Sequence, residues 1–369
     1  MTEMTRRERI MAASCGKRAD KLPFAHWWRH SQIGWAERRC RNQGMGVCWL
    51  RPSFMTVMHG VEITEAQKES AEGTVTRRTY STPLGSIYLE EKREPGVGMW
   101  HASRSWKDIT PWQTARLIKG PEDYPVLKYI VDHTEYVADY FPIEQAIDWV
   151  GDDGVVVDAI PHSPMQMLMI DWIGSEGGRF FYHHVDYPDL VEELYQAICA
   201  SREPLYDIAA RSPAPIVQCG DNVDGFLVTP QLFQQYFMPV YEKQALALHE
   251  HGKLMSVHMD GRLNSLKHLI KQTQIDIVEA FHPPPMGDLA LADASALWAG
   301  KSIWLGFPGE AYALGPAATK AYALDLLQHA GAGERLVIEM STENLVSNEN
   351  LVALTSVLAN TNLPLGGSQ

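Results

Sequence analysis

Polar side chains gather directly after the short apolar runs in the second half of this sequence. They are Asp221 and Asn222, His258 and Asp260, Glu279 and His282, Glu310, and Glu339. Imidazole and carboxyl groups whose pKa values are tuned by their neighbours are the usual general acids and bases of enzymes. The same groups also provide the nitrogen and oxygen ligands of a catalytic Zn²⁺ that keeps one position open. Because a charged group at such a place is costly to bury without a partner or a ligand, the set predicts a functional site.

Each of these residues also has a structural alternative. Asp221 and Asn222 are of the types that cap turns, and His258 can be a core imidazole bonded to a carbonyl group. Glu279 and Glu339 can pair with arginine, since structural ion pairs gather polar groups as well. The convergence of the whole set favours a functional site over these alternatives.

The apolar runs that precede these residues alternate with helix-length amphipathic stretches from about residue 150 onwards. The predicted strands are Val155–Ile160, Pro215–Gln218, Lys253–His258, Ile275–Ala280, Ser302–Gly306 and Arg335–Glu339. The predicted helices lie near 188–210, 230–251, 262–272, 289–299, 316–330 and 347–360. Such alternation predicts an α/β fold in which parallel strands are joined by crossover helices. We expect a (β/α)₈ TIM-type barrel, whose strand ends would share one face. An open doubly wound sheet is the alternative, although neither a GxGxxG nor a GxxxxGK[ST] turn follows any strand.

The first part of the chain is less regular than the second. Residues 1–150 predict an N-terminal extension of helices and a β-hairpin that covers the barrel, and residues 151–369 the regular β/α units of the same single domain, 1–369. In residues 73–91, β-branched and aromatic residues alternate around Thr82-Pro83-Leu84-Gly85. Proline fixes one dihedral angle of a turn and glycine tolerates positive φ, so this segment predicts the hairpin.

Composition and charge exclude several classes of protein. The 369 residues carry 32 Lys and Arg against 45 Asp and Glu, a formal net charge of −13. So acidic a surface repels phosphate backbones and anionic lipids, which argues against nucleic-acid and membrane partners. No run approaches the roughly 18 apolar residues of a membrane-spanning helix. The five cysteines include no CxxC pair, which favours a reducing compartment, and we expect a cytoplasmic protein.

Several segments of the sequence resemble, in order and spacing, the uroporphyrinogen decarboxylase superfamily. They are RRERIMAASCGKRADKLPF, YSTPLGSI, LIKGPEDYPVLKYIV, PDLVEELYQAI, DNVDGFLVTPQLFQQYFMPVYEKQALALHEHGKLMSVHMDG and HPPPMGDLALADA. The resemblance spans nearly the whole chain and implies a distorted (β/α)₈ barrel with an open cleft at its C-terminal face. The decarboxylase itself carries a Met-Arg-Gln-Ala-Gly-Arg segment near its N-terminus, where this chain has HWWRHSQIGWAERRCRNQG. The Arg-rich opening with its Gly and Asp-x-x-Pro, the TPLGS hairpin and His258 resemble instead the corrinoid-linked methyltransferase branch of the superfamily.

The resemblance also suggests where a metal would lie. The methyltransferase branch binds Zn²⁺ through His-x-Cys after one strand and a Cys after the last. Here the first motif matches His258-Met259-Asp260, and the last Cys falls near Met340, so both thiolates are replaced. The remaining donors are imidazole nitrogen and hard oxygen, which still suit Zn²⁺. The candidate ligands are His258, Asp260, Glu310 and Glu339.

The resemblance implies an enzyme of methyltransferase or demethylase type. It would move a methyl group from a small methylated or methoxylated substrate to a corrinoid on a separate partner protein, and by analogy it would be a homodimer. The candidate catalytic residues are His258, Asp260, Asp221 and Glu279. The candidate substrate-binding residues are Asn222, Tyr241, Trp27, Trp28 and His282. In this hypothesis Tyr241, or a wall formed by Trp27 and Trp28, stacks on an aromatic ring, although core packing is the alternative for the tryptophans.

Two further hypotheses remain open from the sequence. A metal-free decarboxylase-like lyase would use Asp221 or Asp260 to protonate a carbanion, and its activity would survive chelators. A catalytically inactive relative would bind a ligand without turnover, and substitution of His258 would leave that binding nearly intact.

Overall fold

The computed structural model describes residues 3–30, 33–93, 112–340 and 346–365. The strands in chain order are β1 (Phe24–Trp27), β2 (Gly46–Arg51), β3 (Phe54–Met58), β4 (Glu62–Ser70), β5 (Gly73–Thr82), β6 (Gly85–Arg93), β7 (Trp112–Ala115), β8 (Thr134–Ala138), β9 (Gly154–Ile160), β10 (Ile216–Cys219), β11 (Leu254–His258), β12 (Ile277–Phe281), β13 (Ser302–Gly306) and β14 (Leu336–Glu339). The helices are α1 (Arg6–Ser14), α2 (Trp35–Asn42), α3 (Asp123–Asp132), α4 (Phe141–Val150), α5 (Pro164–Gln166), α6 (Arg179–Asp186), α7 (Pro188–Ser201), α8 (Glu203–Arg211), α9 (Pro230–Leu232), α10 (Met238–His249), α11 (Lys267–Gln272), α12 (Leu291–Leu297), α13 (Gly309–Ala313), α14 (Pro316–Gln328) and α15 (Asn348–Leu358). Two π-helical turns, Met167–Trp172 and Phe233–Phe237, continue α5 and α9.

Eight parallel strands close into a barrel in the order β1, β2, β9, β10, β11, β12, β13, β14, with β14 paired to β1. The predicted (β/α)₈ barrel is therefore confirmed. All six strands predicted beyond residue 150 belong to it. The other two, β1 and β2, come from the segment that was predicted to cover the barrel, so that the barrel begins within the first 30 residues. β1 has only four residues, with His26 and Trp27 among them, too few for a period of two to show in the sequence.

The hairpin predicted at 73–91 forms, as β5 and β6 joined at Thr82 and Gly85, where Gly85 has φ +134°. It belongs to an antiparallel sheet of β4, β5, β6 and β7 that is inserted between the second and third barrel strands rather than placed ahead of the barrel. A second insertion sheet pairs β3 with β8. The barrel end of this insertion is anchored by Ser53, whose amide donates to buried Asp158.

Several predicted helices are shorter than the sequence pattern suggested. The stretch near 188–210 divides at Arg202 into α7 and α8, and Pro204 lies in the first turn of the second helix, where proline is tolerated. The stretch near 262–272 reduces to α11, and residues 264–266 before it form a turn. Within the described ranges, no helix combines the length and the apolar character needed to cross a membrane.

An apolar layer fills the lower part of the barrel. Its buried residues are Ala25, Trp27, Cys48, Val155, Val157, Ile216, Ile277, Trp304 and Val337, together with Ile10 and Ala13 of α1. Helix α1 thus closes the N-terminal end, and the indole of Trp304 donates to Ser14 Oγ at 3.2 Å. The rings of Trp27 and Trp304 lie 6.0 Å apart. With this layer packed, only the C-terminal end of the barrel remains for polar chemistry.

Trp27 and Trp28 do not form one wall, which corrects that prediction. Trp27 points into the barrel, whereas Trp28 lies outside it, 5.1 Å from the ring of Trp49, which in turn stacks on Trp149 of α4 at 5.7 Å. β1 ends at Trp27, and Trp28 begins the 3₁₀ turn Trp28–His30, so the chain leaves the barrel between these two neighbours. Trp28 instead lines a surface cavity of about 470 Å³ beside Arg41.

Asp158 provides a test of how this barrel responds to pH. It is fully buried on the outer face of β9, and burial raises the pKa of its carboxyl to about 6. A carboxyl group whose pKa is higher in the folded state than in the unfolded state adds to the free energy of unfolding at low pH. This contribution is lost as the pH rises through 6, and the loss is about 1.4 kcal/mol between pH 5 and pH 8. Asp158→Asn keeps an oxygen for the Ser53 amide and has no charge to bury. Its free energy of unfolding, measured with urea, should therefore gain about 1.4 kcal/mol relative to wild type over that interval. Asp152→Asn, on an exposed residue, is the control for loss of one negative charge; an equal gain there would contradict the prediction.

Candidate active site

Four barrel strands bring polar side chains together above the apolar layer. His258 ends β11 and Glu279 lies on β12, and His258 Nδ1 is 2.5 Å from Glu279 Oε2. The same carboxylate oxygen accepts a hydrogen bond from Gln218 Nε2 on β10 at 2.7 Å. Glu339 ends β14 and accepts from the Trp27 indole at 3.1 Å. With Asp260 and His282 these residues are called the mouth cluster below.

The two glutamates of the mouth cluster share a proton. Burial and the negative charge of Glu279 raise the pKa of Glu339 well above its ordinary value, and the two carboxyl groups are hydrogen-bonded to each other. Burial also raises the pKa of Glu279, but the charge and the hydrogen bond of His258 outweigh it and hold that pKa below its ordinary value. Two carboxylates this close cannot both ionise. At neutral pH Glu339 is therefore the protonated member of the pair and Glu279 the ionised one.

His258 is the cation of the mouth cluster. Burial lowers the pKa of its imidazole, but the charge of Glu279, the hydrogen bond to Glu279 and the neighbouring carboxylate of Asp260 raise it well above its ordinary value. Asp260 Oδ2 lies 3.6 Å from His258 Nε2, and 42% of the Asp260 side chain is exposed. Burial raises the pKa of Asp260, but the neighbouring imidazolium of His258 brings it below its ordinary value. His258 is thus an imidazolium whose Nδ1 is held by a buried carboxylate and whose Nε2 faces the half-exposed Asp260 at the open side of the mouth.

A break in β12 lets His282 join the mouth cluster. Glu279 and His282 are three residues apart, so a regular strand would point them to opposite faces. At Ala280 the backbone has φ +56° and the pairing of β12 with β13 shifts, so that Phe281 packs outwards on Trp298. A β-bulge re-aims side chains in this way, often next to active sites.

His282 lies over the end of β13. A Cβ added at Gly306 would lie 2.5 Å from His282 Nε2. The glycine at this position therefore leaves room for the imidazole ring. His282 Nδ1 is buried without a hydrogen-bond partner. Burial lowers the pKa of the His282 imidazole despite the nearby charge of Asp260. The mouth therefore holds a neutral imidazole with an unused ring nitrogen beside the His258 imidazolium.

Asp221 supports the site from beneath instead of facing a substrate. Its side chain is fully buried. Oδ1 accepts the amide of Ser163 at 2.6 Å, and Oδ2 accepts the Tyr241 hydroxyl at 2.6 Å. Tyr241 is also fully buried, and burial raises the pKa of its hydroxyl well above the ordinary value. The prediction that Tyr241 stacks on a substrate ring is thereby corrected, and Asp221 is withdrawn as a proton-handling group because both its oxygens are engaged inside the protein.

Two other predicted residues lie at the periphery. The Asn222 side chain is exposed, and its main-chain oxygen accepts from Gln166 Nε2 at 2.9 Å. Glu310 is exposed on α13, where its charge acts on the hydroxyl of Tyr322. The structure brings neither residue into the mouth cluster.

The predicted Zn²⁺ ligands do not come together as a metal site. His258 and Asp260 face each other, but Glu339 turns to Glu279 and Trp27, and Glu310 is exposed. Within the described part of the chain, no three His, Cys, Asp or Glu side chains are grouped as metal ligands. The cysteine that lies inside the barrel, Cys48, does not replace the missing thiolates, since burial raises its pKa well above the ordinary value. The donor set therefore does not fit Zn²⁺.

One pair on the rim was missed in the sequence. His162 follows β9, and its Nδ1 lies 2.7 Å from Asp171 Oδ2. The signal was present, since Pro161-His162 comes directly after the predicted strand Val155–Ile160, as the other candidates come after theirs. Asp171 could not be found that way, because it lies inside a helical stretch.

The mouth cluster is suited to donating a proton at the open, C-terminal end of the barrel. His258 carries the proton, and Glu279 orients the imidazole ring. Glu339 holds a second proton next to Glu279. A buried, hydrogen-bonded donor of this kind contributes typically 10²- to 10⁴-fold to a reaction in which a group leaves with an electron pair.

Comparison with known proteins gives a likeness of fold. No family profile matches the chain, and no curated protein is significantly similar to it in sequence. A methyltransferase from Methanosarcina mazei superposes with a TM-score of 0.56 at 13% identity, covering 96% of this chain and 98% of that one. A catalytic module of the pneumococcal exo-beta-D-N-acetylglucosaminidase StrH gives a TM-score of 0.39 at 10% identity over 94% and 86% of the two chains. A broad-specificity endoglucanase from an uncultured bacterium gives 0.34 at 9% identity over 58% and 74%. At these identities the Methanosarcina likeness shows a shared barrel fold from end to end.

Proposed function

We propose that this chain is a methyltransferase of demethylase type, which takes a methyl group from the oxygen or nitrogen of a small substrate. The observation that carries the proposal is the His258 imidazolium, fixed by Glu279 at the C-terminal mouth of the barrel. The likeness to a methyltransferase over 96% of the chain supports it. So do the sequence segments that resemble the corrinoid-linked branch of the uroporphyrinogen decarboxylase superfamily.

The chain's part in the reaction is to make the heteroatom a better leaving group. As the bond between methyl carbon and heteroatom breaks, its electron pair stays on the heteroatom, and His258 donates its Nε2 proton there. Glu279 remains ionised and keeps the ring oriented through Nδ1. Glu339, protonated and hydrogen-bonded to Glu279, holds the nearest second proton for the pair.

The methyl carbon needs a nucleophilic acceptor, which we propose to be a reduced corrinoid on a separate protein. In this scheme the acceptor approaches from the open C-terminal end, because α1 closes the other end of the barrel. The half-exposed Asp260 lies at that open end beside His258. A metal is not part of the scheme, since the described residues provide no three-ligand group.

A decarboxylase-like lyase is the second candidate. The observation that favours it is the buried, protonated Glu339, a donor that could protonate a carbanion inside the barrel. It would release carbon dioxide and need no corrinoid.

The function can be tested with free cobalamin in place of the partner protein. Purified protein is incubated under reducing conditions with cob(I)alamin and a panel of methanol, methylamines and methoxyarenes, with and without EDTA. Formation of methylcobalamin is followed by absorbance, and carbon dioxide by gas chromatography. We expect methylcobalamin with at least one substrate class at a rate that EDTA leaves unchanged.

Absence of methyl transfer for every compound that binds would refute the proposal, and carbon dioxide release without corrinoid would favour the lyase. A rate that collapses in EDTA and returns with Zn²⁺ would show that the mouth cluster rearranges around a metal.

A further inference from the structure

A second histidine–carboxylate pair lies on the rim of the barrel, two strands away from His258. His162 follows β9, and its Nδ1 contacts Asp171 Oδ2 at 2.7 Å, with 25% and 33% of the two side chains exposed. Asp171 belongs to the π-helical turn Met167–Trp172, a feature found often at functional sites. Since Nδ1 is engaged by Asp171, Nε2 is the ring atom that remains to face a ligand.

The loop that carries His162 is held rigid from below. The amide of Ser163, the next residue, donates to buried Asp221 at 2.6 Å. The guanidinium of Arg202, which is 1% exposed, donates to the main-chain oxygen of His162. Two charged groups are thus buried to hold the backbone on either side of one imidazole. Rigid support of this kind is what a binding group requires if it is to act without ordering cost.

The ring of His162 lies next to the C-terminal end of β10. Ile216 belongs to the barrel interior and Gln218 bonds to the mouth cluster, so the alternation of β10 makes Gly220 the next inward position. A Cβ added at Gly220 would lie 3.8 Å from His162 Cδ2. The His162 ring is therefore in contact distance of the place where a side chain at residue 220 would begin, at the end of β10. β10 separates β9 from β11, so two strand spacings, about 10 Å in all, separate the ends that carry His162 and His258.

We propose that His162, oriented by Asp171, anchors a carboxylate of the substrate through a hydrogen bond from Nε2, about 10 Å around the rim from the group that His258 protonates. This inference rests on the proposed function and deepens it. The substrate class it names is a small carboxylic acid that carries its methylated oxygen or nitrogen several bonds away from the carboxylate.

A carboxylate is the acceptor that suits this anchor best. Burial lowers the pKa of His162, but the hydrogen bond and charge of Asp171 outweigh it and raise the pKa above its ordinary value. The ring is then protonated over a wider pH range than a free imidazole. In the protonated form its Nε2 donates a charge-assisted hydrogen bond, and such bonds are roughly twice as strong as neutral ones. An uncharged substrate end would gain much less from the same position.

Binding without an acceptor tests the anchor. Dissociation constants are measured by ligand-observed NMR for 3-methoxypropanoate and 4-methoxybenzoate, each against the analogue in which a methyl group replaces the carboxylate. The proteins are wild type, His162→Ala and His162→Gln, whose amide nitrogen can replace Nε2 as a donor. The matched control is His249→Ala, which removes the exposed His249–Asp276 pair, a 2.8 Å contact on the outside of the barrel.

For wild type and His249→Ala we expect at least one carboxylate to bind about 10- to 100-fold more tightly than its analogue, the range for a hydrogen bond to a charged group. The preference should fall towards unity in His162→Ala and recover in part in His162→Gln, with unchanged far-ultraviolet circular dichroism in both. The proposal is overturned if neither carboxylate binds wild type, or if His162→Ala keeps the preference. A lost preference in a protein that transfers no methyl group would leave the anchor standing and refute only the proposed function. Methyl transfer by wild type together with an unchanged carboxylate preference in His162→Ala would support the proposed function and refute the anchor.

Discussion

Replacing His258 by alanine is expected to lower the rate of methyl transfer to cob(I)alamin by about 10²- to 10⁴-fold, with a much smaller change in KM. The variant removes the proton that the leaving heteroatom takes up, and it leaves Glu279 buried without its cationic partner. The measurement is the initial rate of methylcobalamin formation at saturating substrate.

The matched control for this experiment is Glu310→Ala. Glu310 belongs to the same set of strand-end residues in sequence but is exposed on α13, so its removal should leave the rate within twofold of wild type. A second comparison separates the two glutamates. Glu339→Gln imitates a protonated carboxyl and should retain far more activity than Glu279→Gln, which removes the charge that holds the imidazolium. Equal losses in both variants would contradict the assignment of the shared proton to Glu339.

Replacing Asp221 by alanine is expected to lower the free energy of unfolding by about 3 to 5 kcal/mol, one of the largest effects for a single side chain in this protein. The substitution leaves the Tyr241 hydroxyl and the Ser163 amide without an acceptor in a fully buried place. Each lost bond to a carboxylate contributes about 1.5 to 3 kcal/mol, and each orphaned donor adds a desolvation cost. Urea denaturation followed by tryptophan fluorescence measures the change.

Asn222→Ala is the control for Asp221→Ala, because it changes the adjacent, exposed side chain and should stay within about 0.5 kcal/mol of wild type. The double variant Asp221→Ala, Tyr241→Phe removes one orphaned donor and should be more stable than Asp221→Ala alone. If Asp221→Ala were as stable as Asn222→Ala, the support role assigned to Asp221 would be wrong.

The sequence predicted the barrel because stretches with strand-like and helix-like hydrophobic patterns alternate over more than 200 residues. Each pattern can be recognised from residues only a few positions apart in the chain. It predicted part of the site for a related reason. In a parallel barrel every strand ends at the same face, so His258, Glu279 and Glu339 could be assigned to one rim from their positions alone. The same argument, extended to the strand that ends at Ile160, would have found His162.

What a side chain does at that rim was decided by tertiary structure. Asp221 and Glu279 both lie near the C-terminal ends of their strands, yet one is tied to Tyr241 and Ser163 inside the protein and the other to His258 at the mouth. The protonation of Glu339 likewise depends on a carboxylate 60 residues away in the chain. Such roles depend on contacts between residues that no sequence period relates. The same holds for Trp27 and Trp28, neighbours in the chain of which the first ends β1 inside the barrel and the second begins a 3₁₀ turn outside it.

The sequence by itself thus determined the fold class, the order of strands beyond residue 150 and the face on which polar groups collect, because local periodicity and parallel topology are enough for these. Only the tertiary structure decided that β1 and β2 lie within the first 51 residues, that a bulge at Ala280 turns His282 inwards, and that the predicted Zn²⁺ ligands do not converge. The physical reason is that barrel closure, strand register and burial are set by packing across the whole molecule, and pKa values and ligand geometry follow from them.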